Sequence, residues 1–134
     1  MVKQLIRGAK LLDLVCNEDD RGSLVVIEEQ DSLPFIPKRI FFIIVPSSSS
    51  VRAAHSSLCE ELIVTVNGAV TIDLDNGEQQ ISLRLEEKNK ALWLRPGVWI
   101  KLKEFTPGTI ILVAASLLFS ETQQSKKPQQ VPLD

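Results

Sequence analysis

The sequence predicts an all-β fold, an antiparallel β-sandwich or barrel. Short apolar runs recur along the 134 residues, and turn-forming residues separate them about every 8–12 positions, as in such folds. No segment shows a convincing helical period. Hydrophobic residues make up 44% of the chain, enough for one core, and the length fits one domain.

The first half of the chain carries strand signals interrupted by polar turns. Residues 10–16 are apolar and end in a turn-forming run at 17–20, and residues 23–29 form the next β-rich segment. Arg39–Val45 is apolar almost throughout, which favours a strand covered on both faces. Pro46 and four serines predict a loop before the strand that contains the sole histidine.

The second half predicts the remaining strands and two hairpins. Asn67-Gly68 is a strong type I′ hairpin signal, and Asp75-Asn76-Gly77 marks a second hairpin. The predicted strands are Glu61–Val66, Ala69–Leu74, Glu78–Leu85, Ala91–Leu94, Val98–Leu102 and Thr109–Ala115.

The composition changes near residue 121. Residues 1–120 are predicted to form one domain, and residues 121–134 a polar, glutamine-rich C-terminal tail. Such a composition favours a mobile tail. The alternative is an arm that docks on a partner subunit.

Composition also excludes several classes of function. A net charge of −2 lacks the basic excess that a nucleic-acid binder needs. A single histidine excludes a site built on several imidazoles, and two cysteines are too few for a disulfide scaffold. No secretory signal and no apolar stretch of about 20 residues is present. We therefore expect a cytoplasmic protein with reduced thiols and no contact with a membrane.

The sole histidine lies in a pattern suited to chemistry. In an unbroken strand His55, Ser57 and Glu61 would share one face. Their spacing resembles the first cupin motif, His-x-His-x3-Glu-x6-Gly, which ends here at Gly68. Of four possible metal ligands only His55 and Glu61 are kept, because Ser57 and Ile100 stand at the other two positions. We predict no bound metal and no other cofactor.

A wider pattern extends along residues 10–122. It comprises Asp20-Arg21-Gly22-Ser23-Leu24, Lys38-Arg39-Ile40-Phe41-Phe42, Arg52-Ala53-Ala54-His55, Asn67-Gly68 and Pro96-Gly97-Val98-Trp99. In order and spacing the chain resembles the sugar-nucleotide 3,4-ketoisomerases. That family acts on dTDP-4-keto-6-deoxyglucose on the way to deoxyamino sugars of bacterial surface polysaccharides. The resemblance implies a cupin-type jelly roll with a nucleotide-sugar pocket, and a homodimer with exchanged N-terminal strands.

The departures from the family pattern leave turnover open. The family's Arg-Gly-x-His-Ala-His is matched at its first histidine by His55, but Ser57 replaces the second, to which the base role is usually assigned. A tyrosine pair is Phe41-Phe42 here, and a Trp-His pair is Trp99-Ile100. Three hypotheses remain: an active ketoisomerase, a catalytically weakened paralogue that binds a sugar nucleotide or pairs with an active isomerase, and a cupin with an unrelated ligand.

The catalytic candidates follow from the reaction. If the chain is an enzyme, His55 is the expected proton shuttle, since no other imidazole or phenol exists. Glu61 would hold the ring, and when ionised would raise the pKa of His55. Ser57 would at most donate a hydrogen bond to the enediolate intermediate.

The binding candidates are mostly arginines, which suit phosphate oxygens. By the resemblance, Arg21 and Arg52 match positions that face the nucleotide diphosphate. Arg39 and Arg95 are further candidates, and Trp99 is expected either to stack on a base or sugar or to lie in the core.

Overall fold

The structure is a computed structural model that describes residues 2–29 and 33–133. Within these residues the chain forms thirteen strands and a short 3₁₀ helix at Phe119–Glu121, and no helix is long and apolar enough to cross a membrane. The strands are β1 (Val2–Ile6), β2 (Ala9–Asp13), β3 (Val15–Asp19), β4 (Gly22–Val26), β5 (Arg39–Val45), β6 (Arg52–Ser57), β7 (Glu61–Asn67), β8 (Val70–Asp75), β9 (Gln80–Leu85), β10 (Lys90–Leu94), β11 (Trp99–Lys103), β12 (Thr109–Ala115) and β13 (Gln124–Ser125).

Two antiparallel sheets carry the fold. The large sheet has six strands in the order β1-β2-β10-β7-β12-β5, and the small sheet has five in the order β13-β6-β11-β8-β9. The remaining pair, β3 and β4, forms a separate hairpin. The prediction of an all-β, cupin-type jelly-roll sandwich is confirmed.

The alternation of strand residues creates two apolar layers. Ile63 and Leu92 of the large sheet pack with Leu74 and Leu102 of the small sheet in the main core. On the opposite face of the large sheet Leu62 belongs to a second cluster. That second cluster also contains Leu33 and Phe35, with Val25 and Ile27 packed against it. The hairpin and the segment after it therefore cover part of the outer face.

The predicted hairpin at Asn67-Gly68 is wrong. Strands β7 and β8 lie in different sheets, so the turn is a corner of the sandwich. Gly68 has φ +84, and a Cβ there would lie 2.4 Å from Thr109 Oγ1. The corner thus needs glycine for both conformation and space. The hairpin after Asp75 is confirmed, since β8 pairs with β9.

The N-terminal strands differ from the sequence prediction. β1 was not predicted, and the predicted turn at 17–20 lies largely in β3. Both strands are mostly exposed, so neither shows the apolar alternation on which strand prediction depends.

The C-terminal segment is packed against the domain. Ser56 Oγ donates a hydrogen bond of 2.6 Å to the carbonyl of Lys127. The amide of Gln129 donates to the carbonyl of Gly97 at 2.9 Å. Val131 is only 4% exposed and belongs to the main core. The expectation of a mobile tail is therefore wrong, because an isolated valine and backbone hydrogen bonds tie the polar segment to its own chain.

Candidate active site

A cavity of about 450 Å³ lies between the two sheets. Both sheets line it, and most of the lining is apolar. Its polar side chains are Arg39, Arg52, His55, Glu61 and Gln124. A largely apolar pocket with a few convergent polar groups is typical of a small-molecule site.

Strand β5 brings one set of its residues into the cavity. Arg39, Phe41 and Ile43 line it, whereas Phe42 points away and is 65% exposed. The predicted cover on both faces is wrong for this edge strand, because the outward residues, Phe42 among them, have no layer over them. Of the two phenylalanines at the family's tyrosine positions, only Phe41 reaches the cavity.

A bulge in β6 carries the histidine. Ala53 and Ala54 have φ 66 and φ 61, a left-handed region that non-glycine residues rarely adopt. The pairing with β11 shifts here, so that Ile100 opposes His55 and Lys101 opposes Ala53. The family's glycine at the position of Ala53 is accounted for by this backbone conformation.

His55 reaches the cavity without a charged partner. Its Nδ1 is buried and has no hydrogen-bond partner among the described residues. Burial lowers the pKa of His55 below its usual value, because the charged imidazolium loses hydration. This is the opposite of the shift expected from an ionised Glu61 beside the ring.

Glu61 lies within the electrostatic influence of an arginine instead. It lies at the start of β7, is 8% exposed and lines the same cavity as His55. Burial raises its pKa to about 6, and the positive charge of Arg39 opposes that rise. The expectation that Glu61 holds the imidazole ring is not supported at Nδ1, which has no hydrogen-bond partner in the described part of the chain.

Two aromatic rings contact the guanidinium group of Arg39. Its guanidinium lies 5.2 Å from the centroid of Phe41 and 5.5 Å from that of Phe119. Such contacts orient a cation without neutralising it. The buried Nε of Arg39 has no hydrogen-bond partner within the described residues, so the guanidinium has a donor for a ligand.

Ser57 and Ile100 differ in whether they line the cavity. Ser57 is buried and pairs with Gln124, but it does not line the cavity. Its predicted contact with an intermediate is therefore not supported by the geometry. Ile100 lines the cavity beside His55. Among the described residues no group of three or more His, Cys, Asp or Glu side chains is arranged to hold a metal ion.

The predicted arginines do not gather at one place. Arg52 lines the cavity. Arg21 lies at the tip of the β3–β4 hairpin, is 87% exposed and pairs with Asp19 at 2.6 Å. It therefore does not meet Arg52 within one chain. Arg95 lies outside the cavity and donates to Glu60 at 2.9 Å, so the single chain does not bring it together with the other candidates.

Trp99 also lies outside the cavity. It lines a depression on the outer face of the small sheet, together with Lys101, Lys103, Lys126 and Lys127. Trp99 is therefore not placed to stack on a ligand in the main cavity, and the expectation of full burial in the core is wrong. The side chain is half-buried, because Ile100 takes the inward position of β11.

Several lining residues were not predicted from the sequence, and two of them lie in the C-terminal part of the chain. Phe119 and Gln124 come from the segment that was read as the domain end and tail. No local pattern marks them, because their position depends on the pairing of β13 with β6. Strict alternation from Arg39 would have selected Phe41 over Phe42.

Comparison with known proteins identifies a matching family and a similar sequence. A family model described as FdtA: WxcM-like, C-terminal, matches residues 7–130. The TDP-4-oxo-6-deoxy-alpha-D-glucose-3,4-oxoisomerase of Aneurinibacillus thermoaerophilus is 32% identical over 105 residues, which is 78% of this chain and 76% of that relative.

Solved structures agree. A 3,4-ketoisomerase from Helicobacter canadensis superposes with a TM-score of 0.80 at 30% identity, covering 84% of this chain and 86% of that one. A histidine-to-asparagine mutant of the 3,4-ketoisomerase QdtA from Thermoanaerobacterium thermosaccharolyticum, in complex with TDP-4-keto-6-deoxyglucose, superposes with a TM-score of 0.86 at 26% identity. That match covers 92% of this chain and 90% of the other.

Proposed function

Because the chain belongs to the sugar-nucleotide 3,4-ketoisomerase family, we propose that it moves the keto group of a TDP-4-keto-6-deoxy sugar from C4 to C3. The observation that carries this proposal is the cavity in which His55 and Glu61 lie with Arg39 and Arg52. A keto-group shift needs proton transfer and stabilisation of an enediolate, and these side chains supply both. The product would serve deoxyamino-sugar synthesis for a surface polysaccharide.

His55 is the proposed proton shuttle between the two carbons. The lowered pKa keeps its imidazole neutral at pH 7, which is the form that accepts a proton. The unpartnered Nδ1 supports a role toward a ligand. The chemistry needs no metal and no redox cofactor. We propose that it takes place in the cytoplasm, where both free cysteines, Cys16 and Cys59, stay reduced.

Nucleotide binding is assigned to the arginine at the cavity. Arg52 is exposed and lies on the cavity-facing side of β6, where its guanidinium suits phosphate oxygens. Arg21 joins it only if the N-terminal strands are exchanged between two subunits, so that the hairpin of one chain reaches the cavity of its partner. A homodimer with exchanged strands is therefore part of the proposal.

The outer face of the large sheet supports a dimer. Ile40, Phe42 and Ile44 are 64%, 65% and 63% exposed and lie next to each other on edge strand β5. Val66 of β7, two strands away, is 50% exposed on the same sheet. Several exposed apolar side chains on one sheet typically mark an interface. A second copy, with its own identical apolar face, is the occupant that we propose.

The experiment measures conversion of TDP-4-keto-6-deoxyglucose by proton NMR and binding of TDP by calorimetry. The wild type is expected to convert the sugar, and His55→Asn to abolish conversion while TDP still binds. Arg52→Ala is expected to weaken TDP binding by about 1.5–3 kcal/mol, or roughly 10–150-fold. Wild-type conversion that survives His55→Asn would contradict the proposed shuttle.

A catalytically weakened paralogue is the second candidate. Phe41 and Ile100 present hydrocarbon to the cavity where polar groups stand in the family pattern, and Ser57 lies outside the lining. A wild type that binds TDP but leaves the sugar unchanged would favour this candidate. In that case Ile100→His, which places an imidazole opposite His55, is expected to raise the rate more than Ser57→His.

A further inference from the structure

Two acid–base side chains face one cavity from opposite sheets. His55 lies on β6 of the small sheet, and Glu61 lies on β7 of the large sheet. The buried Nδ1 of His55 has no hydrogen-bond partner in the described part of the chain. Glu61 therefore does not orient the imidazole through this nitrogen, and a sugar ring between the sheets would meet one group on each side.

The proposed reaction has work for two such groups. One proton moves from C3 to C4, and a second moves from the 3-hydroxyl to the new 4-hydroxyl. C3 is oxidised and C4 is reduced by the same electron pair, so atoms and electrons balance within the sugar. A single imidazole that holds the carbon-derived proton cannot also carry the hydroxyl proton.

We infer that Glu61 is a second acid–base group, which transfers the hydroxyl protons while His55 transfers the carbon-bound proton. The inference rests on the proposed function. One oxygen of the Glu61 carboxyl group donates its proton to O4, and the other accepts the proton of O3, since two vicinal sugar oxygens match the two oxygens of a carboxyl group. The Glu61 carboxyl group ends the cycle protonated, as it began.

The surroundings of Glu61 support this division. Burial raises the pKa of the carboxyl to about 6, so both of its protonation states are populated near neutral pH. Arg39 lies beside it with a buried Nε that has no partner among the described residues. Its positive charge is placed to stabilise the oxygen anion of the enediolate.

The test is conversion of TDP-4-keto-6-deoxyglucose in D₂O, followed by NMR of substrate and product. Glu61→Gln keeps the shape of the side chain but cannot exchange protons. It is expected to lower conversion by about 10²–10⁴-fold, while deuterium still enters C3 of the recovered substrate through His55. Glu61→Asp, which restores a carboxyl group, is expected to convert the sugar faster than Glu61→Gln.

Glu60→Gln is the matched control. Glu60 is the neighbouring glutamate, lies outside the cavity and pairs with Arg95, so its variant is expected to keep conversion. TDP binding by each variant reports an intact fold.

Three results would overturn the inference. Wild-type conversion by Glu61→Gln would remove the role, and parallel loss of exchange and conversion would make Glu61 the carbon base. A wild type that binds TDP but shows neither exchange nor conversion would defeat the proposed function itself.

Discussion

The buried position of Glu61 makes its ionised carboxylate unfavourable to the stability of the folded protein. The folded state raises the pKa of this buried carboxyl from 4.5 to about 6, so the folded chain holds the proton more tightly than the unfolded chain. Stability contributed by this group is therefore greatest below the unfolded pKa and declines as the pH rises through about 6. A charge retained in an apolar cavity at such a cost is typical of a functional group.

Glu61→Gln is accordingly expected to stabilise the protein at pH 8 by up to about 2 kcal/mol. The gain should fade toward pH 4, where the wild-type carboxyl is protonated in both states. Urea unfolding of both proteins across this pH range measures the difference. Destabilisation of Glu61→Gln at pH 8 would mean that the attraction of the Glu61 carboxylate to the positive charge of Arg39 outweighs its loss of hydration.

At the scale of secondary-structure elements, the C-terminal segment shows which kind of ordered structure sequence patterns do not predict. Arg39–Val45 and Thr109–Ala115 were predicted with their observed bounds, because each is a nearly continuous apolar run. The segment after Glu121 has no such run, and its order depends on Ser56, Gly97 and the core. Contacts distant in sequence leave no local pattern to read.

Val131 is the anchor of that segment, and Val131→Ala is expected to cost about 2 kcal/mol of unfolding free energy. The matched control is Leu133→Ala, because Leu133 is 89% exposed and its truncation removes no packing. Thermal and urea unfolding of the two variants provide the measurement. Equal stability of the two variants would show that the Val131 side chain does not anchor the segment.

At the scale of the whole molecule, the candidate site was predicted only in part. The sequence pattern identified His55, Glu61, Arg39 and Arg52, which the sheets bring to one cavity. It also selected Arg21, which lies on the separate hairpin. The spacing of residues along one chain does not show which subunit's cavity a hairpin contacts. A site formed by two chains therefore cannot be predicted from that spacing.

The dimer provides the last prediction. Phe42 lies at the centre of the exposed face of β5, between Ile40 and Ile44. We expect Phe42→Lys to convert a wild-type dimer into a monomer, because a charge buried in an apolar interface without a partner is strongly unfavourable. Val51→Lys is the control, since Val51 is similarly exposed at 54% but lies in a loop. Sedimentation at micromolar concentration distinguishes the two masses.

If strands are exchanged, Phe42→Lys should also weaken TDP binding, because Arg21 of one chain would no longer reach the cavity of its partner. A monomeric wild type would contradict the dimer and would leave Arg52 as the proposed phosphate contact within a single chain.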